Sequence, residues 1–319
     1  MKRNGLITTL IVGTFIILAS LAPSVYGQVA NATLVGTVVD PTGAVIPEAT
    51  VTVRNVATNE TRTTTTTSEG LYRIPNLLPG TYTVRVEKSG FKTSVTSDVI
   101  LHVGETTRVD VTLQIGALEE EVEVVGGAPL MNTEEGRITH IVESRQVEEL
   151  PLIKRNIYQL PVLEPGTTPT RIQIPTYYSN SVYSLGFIAY GKRIRGTNFL
   201  LDGAPNTDNG LGGIPAISPI LDAVQEFQVS TNNFDREYGR NYGAIINVAT
   251  KSGTNEVHGS AWEFHRNAAL NARNFFDLEK PVPNIQNQFG VSIGGPIRKD
   301  STFWFFAYEG FRERRGITR

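Results

Sequence analysis

The chain has 319 residues, a near balance of 29 basic against 31 acidic side chains, and no cysteine. That balance leaves no electrostatic footprint for nucleic acid, and the missing thiols exclude disulfide frameworks, cysteine-ligated zinc and thiol nucleophiles. Glycine (30) and proline (17) are abundant and punctuate strands rather than fill helices, and none of His102, His140, His258 and His265 lies in an H-E-x-x-H arrangement.

Residues 1–27 read as a secretion signal. Lys2 and Arg3 precede an apolar run from Leu6 to Leu21, and Val25-Tyr26-Gly27 offers small residues at the −3 and −1 positions of a cleavage site. An uncleaved anchor is the alternative, but Thr8, Thr9, Gly13, Thr14 and Ser20 dilute the run and Pro23 breaks it. No later stretch reaches the ~20 apolar residues that a spanning helix needs. Any further membrane contact falls to β-strands.

Residues 28–115 read as one all-β unit. β-formers alternate over 33–39, 50–55, 61–67, 71–74, 81–87, 93–100 and 106–113, with turn clusters such as Asp40-Pro41-Thr42-Gly43 and Leu78-Pro79-Gly80 between them. Short strands at this spacing indicate a sandwich. Val84 and Val86 are expected inside, with Arg85 and Glu87 outside. The run from Gly36-Thr37-Val38-Val39-Asp40 to Gly43, with Leu78-Pro79-Gly80-Thr81-Tyr82 later, resembles the carboxypeptidase regulatory-like domain. The resemblance implies a non-catalytic, transthyretin-like sandwich, a fold often grouped with carbohydrate-binding modules. Gly43, Gly70 and Gly80 suit positive-φ turns, and Tyr72 and Tyr82 suit a core.

The composition shifts at Ile115-Gly116. Residues 118–149 hold glutamates at 119, 120, 121, 123, 134, 135, 143, 148 and 149 against two basic residues, Arg137 and Arg145. Within the linker of residues 116–127, the octamer Leu118, Glu119, Glu120, Glu121, Val122, Glu123, Val124 and Val125 is either a solvated connector or an extended segment able to add to a partner's sheet edge. Its acidity favours a basic partner.

From 128 to 253 an ordered series of motifs resembles the plug of TonB-dependent receptors of the Oar-like group. The series runs through Val147-Glu148-Glu149-Leu150-Pro151-Leu152-Ile153-Lys154-Arg155-Asn156, Ile194-Arg195-Gly196, Asn198-Phe199-Leu200-Leu201-Asp202-Gly203, Ser218 to Val229 and Glu237-Tyr238-Gly239, and closes on Gly243 to Asn255. The resemblance implies a structural role for Arg195, Gly196, Asp202, Gly203, Asp222, Glu226, Gly239, Asn247 and Lys251. It makes the octamer a TonB box, the strand a TonB protein grips.

Locally, Ser218 and Pro219 are expected to start a short amphipathic helix with Ile220, Val224 and Phe227 on one face, feeding a strand over 227–230. Pro161 is expected to end a helix early. Residues 171–190 form a loop in which Tyr177, Tyr178, Tyr183 and Phe187 either face a ligand or pack on a wall.

Residues 254–319 read as the start of an outer-membrane barrel, with β segments at 257–266, 287–294 and 302–311 of spanning length. Phe289, Val291 and Ile293 alternate with Gln288, Gly290 and Ser292, the pattern of a strand with lipid outside and polar groups inside. Trp304, Phe306 and Tyr308 suit an aromatic girdle. Three strands do not close; plugged transporters use about 22, so the chain reads as a fragment with an open-edged sheet.

The fold class expected is mainly β: a transthyretin-like sandwich, a mixed α/β plug and the first strands of a transmembrane barrel. The function implied is uptake of a large solute, such as an oligosaccharide or peptide, energised through TonB, with outer-membrane lipid around the barrel. A surface adhesion or carbohydrate-binding protein is the alternative. No catalytic set accompanies Asp202, Asp222 and Glu226, and neither metal, cofactor nor nucleic acid is implied.

Overall fold

The computed structural model describes residues 32–116, 121–125, 138–149, 152, 155–170, 186–189, 191–210, 212–231, 243–272 and 283–316. The expected secretion signal lies outside them. No helix among them is long and apolar enough to cross a membrane.

The N-terminal unit is a sandwich. In one sheet β1 (Ala32–Val39) lies between antiparallel β4 (Leu71–Leu77) and two short parallel strands, β7 (Thr106–Arg108) and β8 (Val111–Thr112). The other sheet runs β3 (Thr61–Thr65), β2 (Thr50–Asn55), β5 (Gly80–Glu87), β6 (Thr93–Leu101), β9 (Glu121–Val125). Alternation builds the core: Leu34, Val51, Val53, Val84 and Val86 are fully buried, and Arg85 is exposed. Each such side chain contributes roughly 1.5–3 kcal/mol. Tyr72 and Tyr82 are also buried, and their hydroxyls donate to Val109 O (2.6 Å) and Leu78 O (2.9 Å). Burial pushes both phenols above their ordinary pKa. Gly70 sits at φ +70°, where an added Cβ would lie 2.8 Å from Val38 O, so this turn requires glycine twice over.

The segment expected as one strand over 106–113 is two. At the break, the Asp110 carboxylate accepts the Thr37 N–H (2.8 Å), so a side chain takes the place of a main-chain partner.

The central unit is a five-stranded mixed sheet ordered β10 (Ile138–Glu143), β15 (Val224–Thr231), β16 (Ala244–Thr250), β13 (Asn198–Leu201), β14 (Ala204–Pro205). β13 and β16 are parallel and the other pairs antiparallel. A short helix, α1 (Ser144–Glu149), follows β10. Tyr158 fills the core, its ring edge-on to Phe199 (5.2 Å) and Phe227 (6.3 Å). Its hydroxyl accepts from Asn206 Nδ2 and donates to Ile217 O, each at 3.2 Å.

Two expectations are corrected here. No helix runs from Pro219 to Phe227: Leu221–Ala223 is a single 3-10 turn, and Val224 already belongs to β15. β15 is hydrogen-bonded on both sides and buried along nearly its whole length, so its apolar positions fit a helical period by accident. Pro161 does not end its helix either. It sits inside a 3-10 helix over Ile157–Leu163, which begins where Asn156 accepts the Tyr158 N–H (2.9 Å).

β11 (Thr167–Thr170) and β12 (Gly186–Ala189) form an antiparallel ladder. The C-terminal unit is an antiparallel sheet, β17 (His258–Asn267), β18 (Asn284–Arg298), β19 (Thr302–Arg315), the last two longer than the expected segments. Only residues 299–301 separate β18 from β19. Here the usual alternation is inverted. Gln286, Gln288 and Ser292 are buried, whereas Val291 (38%), Ile293 (36%), Phe306 (53%) and Tyr308 (52%) are exposed. Water would reject that arrangement; hydrocarbon requires it.

Candidate functional site

The described part of the acidic octamer, residues 121–125, is extended, and its partner is internal. Residues 121–125 form β9, paired in parallel with β6 from Thr93↔Glu121 to Ser97↔Val125. Val122 is half-buried there, so a freely solvated connector does not describe residues 121–125. Leu118, Glu119 and Glu120 lie outside the described residues.

The motif residues of the central unit hold its backbone together. Asp202, at φ +50° before Gly203 at +77°, turns the chain out of β13. Its carboxylate accepts from Thr250 N (2.8 Å) and Thr250 Oγ1 (2.9 Å), tying that turn to the end of β16. Gly196 is buried and its carbonyl accepts the Gly243 N–H (2.9 Å), while neighbouring Arg195 is exposed. Asn247 is buried in β16, in register with Gln228 and Leu200 on either side. The Lys251 N–H donates to Ala223 O (2.8 Å). Gly239, Tyr177, Tyr178 and Tyr183 lie outside the described residues; Phe187 pairs with Pro169 across the β11–β12 ladder.

Arg155, held by Asp222, and Glu226 each join two units. The Arg155 guanidinium donates to Asp222, both side chains nearly buried (11% and 10% exposed). The same guanidinium lies over Phe264 (4.5 Å to the ring centroid) and Trp262 (5.5 Å), both on β17. Trp262 in turn covers Gly290, where an added Cβ would come within 2.3 Å of the indole. Glu309, opposite Gly290 in register, is within electrostatic reach of Arg155 and Asp222. One cation therefore links the central unit to the inner face of the C-terminal sheet. With Phe264 exposed and Trp262 half-buried, such a cation–π contact contributes about 0.5–1 kcal/mol. Sequence reading missed Arg155, Trp262, Phe264 and Glu309; the motif 150–160 holds two adjacent cations, Lys154 and Arg155, and nothing in it singles out the one that reaches the C-terminal sheet.

Glu226 faces the sandwich. Its Oε1 accepts the Val103 N–H (3.1 Å) and lies 3.3 Å from His102 Nδ1. Gln225 Nε2 donates to Pro79 O (3.0 Å), and Asn59 Nδ2 to Asp300 Oδ1 (2.6 Å) in the turn between β18 and β19. A cleft of about 450 Å³ lies at this junction, lined by Asn55, Pro79, Asp202, Gln225, Lys251 and His258 among others. Among the described residues no group of acidic, histidine or cysteine side chains is placed to hold a metal.

Comparison with known proteins agrees with this layout. Residues 33–114 match the carboxypeptidase regulatory-like domain and residues 249–319 an outer membrane beta barrel domain. The TonB-dependent transporter Oar of Myxococcus xanthus is 34% identical over 306 residues, an alignment that takes in 88% of this chain and 27% of that protein. The chain thus spans about a quarter of the length of this relative. Two solved structures also align: the siderophore receptor PirA from Acinetobacter baumannii (20% identity, 54% of this chain, 24% of that one, TM-score 0.39) and PirA from Pseudomonas aeruginosa (17%, 56%, 28%, 0.38). The chain is an outer-membrane protein and belongs to the TonB-dependent receptors, in the Oar-like group that carries a carboxypeptidase regulatory-like domain.

Proposed function

We propose that the complete protein takes up a large solute across the outer membrane, with the central unit as a plug in the barrel and TonB supplying the energy through residues 118–125. In this reading the sandwich covers 28–115, the linker 116–127, the plug 128–253 and the barrel begins at 254. The observation that carries it is the position of Arg155. A plug side chain, paired with plug Asp222, rests on Trp262 and Phe264 of a sheet whose opposite face exposes Val291, Ile293, Phe306 and Tyr308. A plug inside a barrel has this geometry.

The short turn at 299–301 supports a periplasmic sandwich. Barrels of this kind keep their short turns on the periplasmic side, and Asn59 of the sandwich hydrogen-bonds to Asp300 in that turn. An adhesin working through its sandwich finds less support. Of the described sandwich aromatics, Tyr72 and Tyr82 are buried and Phe91 half-buried, so none offers an open stacking face for sugar.

The test is capture of the host's TonB by the complete protein in the membrane. Parent protein is expected to cross-link to TonB. Val122→Pro, which removes a main-chain donor from the octamer, is expected to lose most of that capture at unchanged protein level. Equal capture would contradict the assignment of residues 118–125.

A further inference from the structure

β9 ends its sheet, so among the described residues one of its hydrogen-bonding sides is used by β6 and the other is open. We propose that this pairing stores the coupling segment: the sandwich holds residues 121–125 in its own sheet, and TonB captures them only after β9 has left β6. The inference rests on the reading of residues 118–125 as the TonB-binding segment.

Three observations support storage over a passing contact. The register sets Val122 and Val124 opposite Ser94 and Thr96, which pair in turn with Val86 and Val84 of the core. β9 therefore continues a sheet whose inner positions are already fixed. Second, the sandwich is itself fastened, through Glu226 to Val103, Gln225 to Pro79 and Asn59 to Asp300, so its sheet is held on the plug and the barrel turn. Third, residues 126–137 run from β9 to β10, and β10 is an edge strand of the plug sheet. Tension on paired β9 goes into the sandwich. Only with β9 free does tension run straight along 126–137 into β10, where strands can be peeled from an edge.

A segment available only in its released state binds with an apparent affinity lowered by the released fraction. Closing β6 onto β9 covalently should drive that fraction towards zero. The native sequence has no cysteine, so Ser94→Cys with Val122→Cys, which are in register, introduces one defined pair. Ser97→Cys with Val125→Cys is a second pair should the first fail to oxidise.

The full chain in detergent is titrated with the purified C-terminal domain of the host's TonB, oxidised and reduced, beside a synthetic peptide of residues 117–127. Each double variant is compared with itself, oxidised against reduced, so any direct effect of the β9 cysteine on binding is common to both arms. Oxidation should weaken binding at least tenfold and reductant should restore it, while the free peptide binds severalfold more tightly than the chain. If the peptide binds but oxidation changes nothing, TonB adds to the open side of β9; storage is then wrong and the segment's role survives. If neither chain nor peptide binds, the TonB-binding reading fails and storage falls with it.

Discussion

The sandwich and the C-terminal sheet are both built on a period of two, and they bury opposite residues. Along β5, Val84 and Val86 are inside and Arg85 faces water. Along β18, Gln286, Gln288 and Ser292 are covered while Ile285, Val291 and Ile293 look outward. Alternation thus identifies a strand without saying which face is the core. The sign of the pattern is set by the solvent on each side. In the sandwich one face meets water; in the C-terminal sheet the outward face meets hydrocarbon.

Lysine breaks the comparison most sharply. Val84→Lys places an unpaired cation in the sandwich core, and a loss above about 4 kcal/mol is expected. Residues 28–115, expressed alone, should melt cooperatively as the parent domain and show no transition as the variant. Val291→Lys should cost about 2–4 kcal/mol near the middle of the bilayer, less towards an interface. Insertion of the complete protein into vesicles, followed by urea titration, reads that cost. A Val291 that faced water would tolerate lysine within about 0.5 kcal/mol.

Arg155→Met should fall in the same range. It leaves buried Asp222 without its cation, a change of about 3–5 kcal/mol where one partner of a buried pair is removed. Loss of that magnitude in the plug's unfolding transition, with the sandwich transition unmoved, would place the pair in the plug's own stability. An exposed pair such as Arg85–Glu87 (2.8 Å) is expected to contribute under about 1 kcal/mol, so Arg85→Ala provides the contrast.

The smallest effect is in the exposed turn after β1. Hydrogen bonds from Thr42 and the Ala44 N–H hold the Asp40 carboxyl below the ordinary aspartate pKa. A folded-state pKa depressed below the unfolded value gives stability that is present above the unfolded value and lost as pH falls through the folded one. Asp40→Ala should therefore flatten the acid limb of the sandwich's stability slightly and leave its neutral-pH limb parallel to the parent. Chemical denaturation between pH 2 and pH 7, read as midpoints with the approximate aspartate range in mind, checks both.

The sandwich strands were legible because each is short, alternating and bounded by turn residues. The helix read over Pro219 to Phe227 failed because β15 is covered on both sides, and the sequence of such a strand carries no period of its own. The extended character of residues 121–125 could be read from their valines and glutamates; their partner could not. β6 lies in another part of the sequence, and parallel pairing leaves no turn between the two strands to mark it. For the same reason Arg155 gave no sign of Trp262 or Phe264, which approach it only when two units meet.

β17–β19 are expected to face lipid on one side and a plugged interior on the other. Single cysteines placed along β18, in a protein cleared of any other cysteine, can carry spin labels without background. In the complete protein in lipid vesicles, labels at Ile285, Val291 and Ile293 should collide mainly with dissolved oxygen, which concentrates in hydrocarbon. Labels at Gln286, Gln288 and Ser292 should show little oxygen contact. That alternation, sustained along the strand, is the predicted result. Accessibility without a period of two, or with the two sets exchanged, would contradict the claim.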